Sequence, residues 1–181
     1  RSQGSRGAGF NVTDGVEADV RHLWSNKAAS AIRYSAGSSL DEVTGNIKQG
    51  DLRINVTAMD GSELKNGTLI YQELIEGLRG ARLLQREDAY EINVRLELPT
   101  SQGFGMSAAG LIAVALAFHQ LTGKGNVEQY YRLAHRIERI HSGGLGDVLG
   151  IYAGGVELRI VAGSPVSPGK AIGFPCDHKI L

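Results

Sequence analysis

Alternating apolar and polar residues predict strands in several parts of the chain. The alternation is clear over residues 16–21, 52–58 and 90–98, is shorter over residues 156–160, and is weakest over residues 29–35. Successive side chains of a strand point to opposite faces, so each of these strands would bury one face and expose the other.

Apolar residues at three- and four-residue spacing predict helices between these strands. One such stripe covers residues 68–84, whereas residues 105–123 are apolar nearly all round, which predicts a buried helix. Asn126 can cap a third helix that extends to residue 141, and a short helix begins near Asp147. Strands and helices interleave without strict alternation, which indicates an α+β fold.

Composition narrows the class of ligand. The 181 residues contain 19 Lys and Arg and 19 Asp and Glu, so the net charge is zero. That balance argues against binding to nucleic acid or to a membrane surface. The apolar run over residues 108–118 is too short to cross a bilayer, and the single Cys176 fits a reducing compartment. We therefore expect a cytoplasmic protein with a small-molecule substrate. A homodimer is possible, and the composition does not decide the oligomeric state.

The stretch between the 90–98 strand and the buried helix has the features of an anion site. Gly103 and Gly105 can take positive φ and let the backbone approach a phosphate closely. The first N–H groups of a helix have no partner within it, and the helix dipole places partial positive charge there. Ser107 adds a hydroxyl. A plain turn before a helix is the simpler alternative.

Two common nucleotide motifs fit this loop less well. No lysine stands at the start of the helix, as a Walker A loop would require. Gly103, Gly105 and Ala108 satisfy G-x-G-x-x-A, but a dinucleotide site also needs a following strand that ends in an acidic residue. Residues 127–141 have helical periodicity instead, which weakens the dinucleotide hypothesis.

The loop sequence LPTSQGFGMSAAG resembles the second motif of the GHMP kinases, P-x-x-x-G-x-G-x-S-A-A. The segments GSRGAGF, AHRIE and GGLGDVLGIYAGGVELR resemble the archaeal pantoate kinases within that family, and together these segments run through nearly all of the chain. The chain departs from the family at Met106-Ser107, where two serines often stand, so only one hydroxyl carries over.

This resemblance implies a fold and a division of the chain. Residues 1–163 would form the GHMP-kinase N-terminal, ATP-binding domain, a ribosomal-protein-like βα fold with a mixed sheet and helices packed on one face. Residues 164–181 would be a linker toward a C-terminal domain that is absent from this chain. A family member would also carry a further strand before GSRGAGF.

The resemblance also implies an activity. The protein would be an ATP- and Mg²⁺-dependent kinase that phosphorylates the primary hydroxyl of pantoate to 4-phosphopantoate in coenzyme A biosynthesis. Two alternatives stay open. One is a GHMP kinase for another acceptor of the homoserine, shikimate or mevalonate type, and the other is a non-catalytic nucleotide-binding relative. An RNA-binding βα domain is disfavoured by the zero net charge.

Site residues follow from the same resemblance. Asp147 would act on the acceptor hydroxyl, and Glu138 and Ser107 would hold Mg²⁺ and complete the catalytic set. The residues expected to bind nucleotide are Pro99, Gly103, Phe104, Gly105, Met106, Ser107 and Ala108. The residues expected to contact the acceptor are Ser5, Arg6, His135 and Arg159, the last through a carboxylate.

Each of these residues also has a simpler explanation. Asp147 could merely cap a short helix. Glu138 lies off the apolar stripe of its helix and could face solvent, and Arg159 could cover a sheet face. His135, Glu138 and His141 lack the i, i+4 spacing of a helical zinc site, so we do not predict zinc.

Overall fold

The computed structural model describes residues 8–13, 16–24, 48–141 and 146–175. In the first two of these ranges, side chains are described only for residues 16–20. The weak strand candidate over residues 29–35 and the acceptor candidates Ser5 and Arg6 lie outside the described residues.

Among the described residues, four strands form a mixed sheet. They are β1 (Ala8–Thr13), β2 (Val16–Trp24), β3 (Leu52–Ala58) and β4 (Ala89–Leu96). Their order is β1-β2-β4-β3, with β2 antiparallel to both β1 and β4, and β3 parallel to β4. The strands predicted at residues 16–21, 52–58 and 90–98 are present, and β4 ends two residues earlier than predicted.

The two faces of the sheet differ as the alternation predicts. Val16, Ala18 and Val20 of β2 are buried, as are the apolar residues opposite them on β4. The other face is polar, and there the Asn55 side chain donates to Asn93 Oδ1 at 2.8 Å. The helices within the described residues pack on the apolar face, so the prediction of a mixed sheet with helices on one side is confirmed.

The helices are α1 (Leu69–Gly80), α2 (Met106–Thr122), α3 (Val127–Ile140) and α4 (Asp147–Ala153). Helix α2 lies in the centre, packed on β1 and β2 on one side and on α3 on the other. Twelve of its residues are buried, as predicted from the apolar residues on nearly all faces of this helix. A capping box between Asn126 and Gln129 begins α3.

Helix α1 ends at Gly80, four residues before the predicted end. The chain leaves it through Arg82, whose φ is 59°. The Leu83 N–H donates to the Leu78 carbonyl and the Arg82 N–H to the Arg79 carbonyl, which is the hydrogen-bond pattern of a Schellman motif. An arginine in the left-handed region gives no sequence signal for a helix end, because glycine is the usual residue there.

A separate two-stranded sheet follows α4. It consists of β5 (Val156–Val161) and β6 (Lys170–Phe174), which run antiparallel. The prediction of a strand near residues 156–160 is confirmed. Strand β6 lies within the segment predicted as a linker, so part of that segment turns back and pairs with the domain. The role of this segment as a connection to another domain stays a prediction.

Candidate functional site

The loop between β4 and α2 has the backbone conformation that the glycines predicted. Gly103 has φ 80° and Gly105 has φ 64°. Gly105 is the residue that precedes α2, and no side chain forms a cap hydrogen bond at this helix end. The N-terminal amides of a buried helix are therefore not used by a capping side chain, which leaves the helix end suited to an anion.

Ser107 and Glu138 meet at this helix end. The Ser107 hydroxyl donates to Glu138 Oε1 at 2.7 Å, which connects the first turn of α2 to α3. Glu138 is 1% exposed, so the simpler explanation of a solvent-facing glutamate is wrong. A buried carboxylate needs a hydrogen bond or a charge partner, and Glu138 has the Ser107 hydroxyl at the N-terminus of α2. Its position beside the glycine loop makes it a candidate functional residue.

Asp147, at the start of α4, also lies against the glycine loop. A Cβ atom built on Gly105 would be 3.2 Å from Asp147 Oδ2, so the carboxylate packs directly over this glycine. Gly146 precedes α4 and Asp147 is its first residue, without a side-chain cap hydrogen bond. The helix-cap explanation of Asp147 is therefore wrong. Helix α4 is tied to α3 by an edge-to-face contact between Tyr131 and Tyr152.

The pKa of Asp147 is raised from its usual value. Partial burial is the main cause, because it disfavours the charged carboxylate. The guanidinium of Arg159 opposes this effect, and the negative charge of Glu157 adds to it. The carboxylate is thus held at a higher proton affinity than an exposed aspartate has.

One cavity of about 980 Å³ brings these groups together. Ser107, Glu138 and Asp147 all line it, as do the predicted loop residues Gly103, Phe104, Gly105 and Met106. One wall of the cavity is apolar and includes Val56, Leu64, Ile70 and Leu96. The cavity therefore joins an apolar surface to the amide-rich end of α2 and two acidic side chains.

Two predicted loop residues do not line this cavity. Pro99 precedes the lining residues Thr100 and Ser101, and Ala108 is fully buried beneath the first turn of α2. Ala108 thus contributes packing and a small side chain at the start of the helix.

The two described acceptor candidates, His135 and Arg159, do not line the cavity. The Arg159 guanidinium donates to both carboxylate oxygens of Glu157 at 2.7 Å and to the Gly146 carbonyl at 3.0 Å, next to Asp147. His135 is 6% exposed, and its Nδ1 has no hydrogen-bond partner within the described part of the chain. Burial lowers the pKa of His135 and favours the neutral imidazole.

Several lining residues had no signal in the sequence. Lys65, Asn66 and Gly67 form a 3₁₀ turn that lines the cavity, and Tyr71 of α1 also lines it. His141 also lines it and forms a 2.8 Å contact with Glu73. These residues are distant from the glycine loop in sequence, so only the packing of α1 and α3 on α2 identifies them.

The described residues contain no group of three or more His, Cys, Asp or Glu side chains arranged to hold a metal ion. Nor does the described part of the chain contain a helix long and apolar enough for a membrane span.

Comparison with known families supports the resemblance of the loop motif. Residues 71–155 match the profile of the family "GHMP kinases N terminal domain". The match includes the glycine loop, Ser107, Glu138 and Asp147, so all three side chains that meet in the cavity lie within the matched stretch.

Two curated relatives match shorter stretches. The chain is 46% identical over 69 residues to a pantoate kinase of Thermococcus kodakarensis, which covers 38% of this chain and 23% of the relative. It is 36% identical over 78 residues to a pantoate kinase of Methanospirillum hungatei, with 40% and 27% covered. These stretches thus cover about a quarter of the relatives' own length.

Solved structures agree on the fold. A "phosphotransferase related to CoA biosynthesis pathway" superposes with a TM-score of 0.62 and 26% identity, over 90% of this chain and 46% of that one. A homoserine kinase from Cytophaga hutchinsonii superposes with a TM-score of 0.56 and 20% identity, over 92% and 44%. The expected fold is confirmed, and the chain corresponds to a little under half of each of these structures.

Proposed function

From the premise that this chain contains the N-terminal domain fold of the GHMP kinases, we propose that it is the nucleotide-binding part of a small-molecule kinase. The reaction would transfer a phosphoryl group from ATP to the primary hydroxyl of pantoate, giving 4-phosphopantoate on the way to coenzyme A. The observation that carries the proposal is the meeting of Ser107, Glu138 and Asp147 in one cavity at the N-terminus of α2.

The phosphates of the nucleotide would bind at the glycine loop. Gly103 and Gly105 hold the backbone in conformations that expose its amides, and the dipole of the 17-residue α2 adds partial positive charge. The apolar wall that includes Val56 and Leu64 suits a base. Because most residues of α2 are buried, its N-terminus is held in place before the nucleotide binds. Little conformational entropy would therefore be lost when the phosphates bind.

The side chains at this helix end fit a hard divalent cation. Ser107 and Glu138 offer oxygen atoms, which Mg²⁺ prefers, and Mg²⁺ commonly uses one or two carboxylates together with substrate phosphates and water. The lack of a larger acidic cluster in the described residues is consistent with this mode. When bound, the cation would offset charge on the transferred phosphoryl group. Glu138 would orient it, and Ser107 would hold Glu138 in place.

Asp147 would position the attacking hydroxyl and receive its proton. Phosphoryl transfer has a loose transition state, so orientation of the acceptor contributes much of the rate. The raised pKa of Asp147 brings its proton affinity closer to the working pH, which favours a general base. Its contact with Gly105 places the carboxylate next to the phosphate loop.

Arg159 would recognise the carboxylate of the acceptor. Its guanidinium lies beside Asp147 but is engaged by Glu157 on the same strand. The carboxylate of an acidic acceptor would therefore have to displace the carboxylate of Glu157 from this guanidinium. Buried His135, together with Ser5 and Arg6, is proposed as a further part of the acceptor region.

Pantoate is preferred as the acceptor because both curated relatives are named pantoate kinases. A kinase for another hydroxylated acceptor of the homoserine, shikimate or mevalonate type is the second candidate, because a homoserine kinase has the same fold. A non-catalytic nucleotide-binding relative is a third candidate. A cytoplasmic location and a homodimer are proposed with the first.

An ADP-release assay across pantoate, homoserine, shikimate and mevalonate tests this assignment. We expect Mg²⁺-dependent ADP release with pantoate above the rate without acceptor. Release with another acceptor alone would replace pantoate by that compound. Nucleotide binding without release for any acceptor would support the non-catalytic alternative, and no nucleotide binding would overturn the proposal.

A further inference from the structure

Helix α2 has a glycine in its buried interior, Gly110, that makes room for a side chain of another helix. Gly110 lies in the middle of this buried helix, where glycine costs about 1 kcal/mol relative to alanine. A Cβ atom at Gly110 would collide with the hydroxyl group of Tyr71 from α1. The glycine therefore makes room for this phenol, whose oxygen lies directly over the α2 backbone.

The Tyr71 side chain is buried, and its hydroxyl is unused within the described part of the chain. Tyr71 is 1% exposed and lines the cavity. Its hydroxyl makes no hydrogen bond to any other group in the described part of the chain. Buried tyrosine hydroxyls usually have a partner, so a phenol in this position is suited to a ligand that occupies the cavity.

The position of Tyr71 relates it to Ser107 and Glu138. Gly110 lies three residues after Ser107, so the phenol crosses the same face of α2 one turn below the Ser107 hydroxyl. Burial, together with the charge of Glu138, raises the pKa of Tyr71 and keeps the phenol protonated. The oxygens of Ser107, Glu138 and Tyr71 thus belong to one corner of the cavity.

We propose that the Tyr71 hydroxyl is a third oxygen of the cation site, accepting a hydrogen bond from a water molecule in the hydration shell of the divalent cation. The inference rests on the proposed function. Mg²⁺ retains several water molecules when bound to a protein, and the neutral phenol is a suitable acceptor for one of them. Its own proton remains available to Glu138 or to a phosphate oxygen.

Calorimetric titration with ADP, with and without Mg²⁺, tests this role without relying on turnover. The variant is Tyr71→Phe, which removes only the oxygen atom. We expect Mg²⁺ to raise the affinity of the wild type for ADP. The variant should bind MgADP about fivefold more weakly than the wild type, which corresponds to the loss of one hydrogen bond. The affinity for ADP alone should be unchanged.

Tyr130→Phe is the matched control. Tyr130 is equally buried, but its hydroxyl donates to the Lys124 carbonyl at 3.0 Å and it does not line the cavity. This variant should bind MgADP as the wild type does. Equal MgADP affinity of Tyr71→Phe and wild type would overturn the inference while leaving the proposed function intact. Failure of the wild type to bind ADP in either condition would overturn both.

Discussion

The Ser107 hydroxyl lies 2.7 Å from Oε1 of Glu138, a residue 31 positions later in the chain and almost fully buried. This hydrogen bond joins the first turn of α2 to the last turn of α3, next to the loop whose glycines have positive φ. Burial of a carboxylate is costly in itself, although the Ser107 hydroxyl and the positive end of α2 stabilise its charge. A cation bound together with phosphates offers a reason for it.

Replacing Glu138 by glutamine tests this explanation. The amide keeps the shape of the side chain but removes its charge, so the Mg²⁺-dependent gain in ADP affinity should disappear while binding of ADP alone stays within about twofold. Titration calorimetry measures both. Glu128→Gln, on the exposed first turn of α3, is the control and should leave both affinities unchanged. Retention of the full Mg²⁺ effect in Glu138→Gln would contradict the assigned role.

Replacing Asp147 by asparagine separates binding from chemistry. The substitution preserves the contact with Gly105 but removes the proton acceptor, so turnover should fall by about 10²- to 10⁴-fold. ADP affinity should remain close to that of the wild type. Asp51→Asn, at the start of β3 and away from the cavity lining, serves as the control. Unchanged turnover in Asp147→Asn would remove this residue from the mechanism.

The pH dependence of kcat should report on the charges around Asp147. Burial and Glu157 raise its pKa, and Arg159 lowers it. If the ionised carboxylate is the active form, kcat falls as the pH drops through this pKa. Glu157→Gln should lower the pKa and move the acid limb to lower pH, whereas Arg159→Gln should move it to higher pH. Shifts in the reverse directions would refute the assignment of that limb to Asp147.

Substitution of Gly110 by alanine should destabilise the fold by about 1–3 kcal/mol, because the new methyl group collides with the Tyr71 hydroxyl. In the Tyr71→Phe background the same substitution should cost less, since the colliding oxygen is absent. Chemical denaturation of the four proteins in this cycle measures the coupling. Gly80→Ala, where nothing lies within 4 Å of the new atom, should be neutral or slightly stabilising. Additive effects of Gly110→Ala and Tyr71→Phe would contradict the packing.

Much of the fold follows from local patterns in the sequence. The strict alternation along β2, β3 and β4 fixes which face is buried, and Gly105 and Gly123 mark both ends of α2. The end of α1 could not be predicted, because an arginine takes the left-handed conformation that usually requires glycine.

The site was predictable only in part. Ser107 and Asp147 could be predicted because both lie within two residues of a glycine at the start of a helix. The burial of Glu138 could not be deduced from α3, whose apolar stripe excludes it, because it depends on packing against the end of α2. Tyr71 has the spacing of an ordinary core residue in the sequence. Only the structure identifies it as a candidate site residue, because its hydroxyl occupies the space that a side chain at position 110 would need.

A crystal structure of the protein with Mg²⁺ and a non-hydrolysable ATP analogue tests the central claim most directly. The account predicts phosphate oxygens against the backbone amides of residues 105–108, with the cation beside Ser107 and Glu138 and the γ-phosphate facing Asp147. Phosphates bound elsewhere on the molecule, or a cation distant from Glu138, would contradict it.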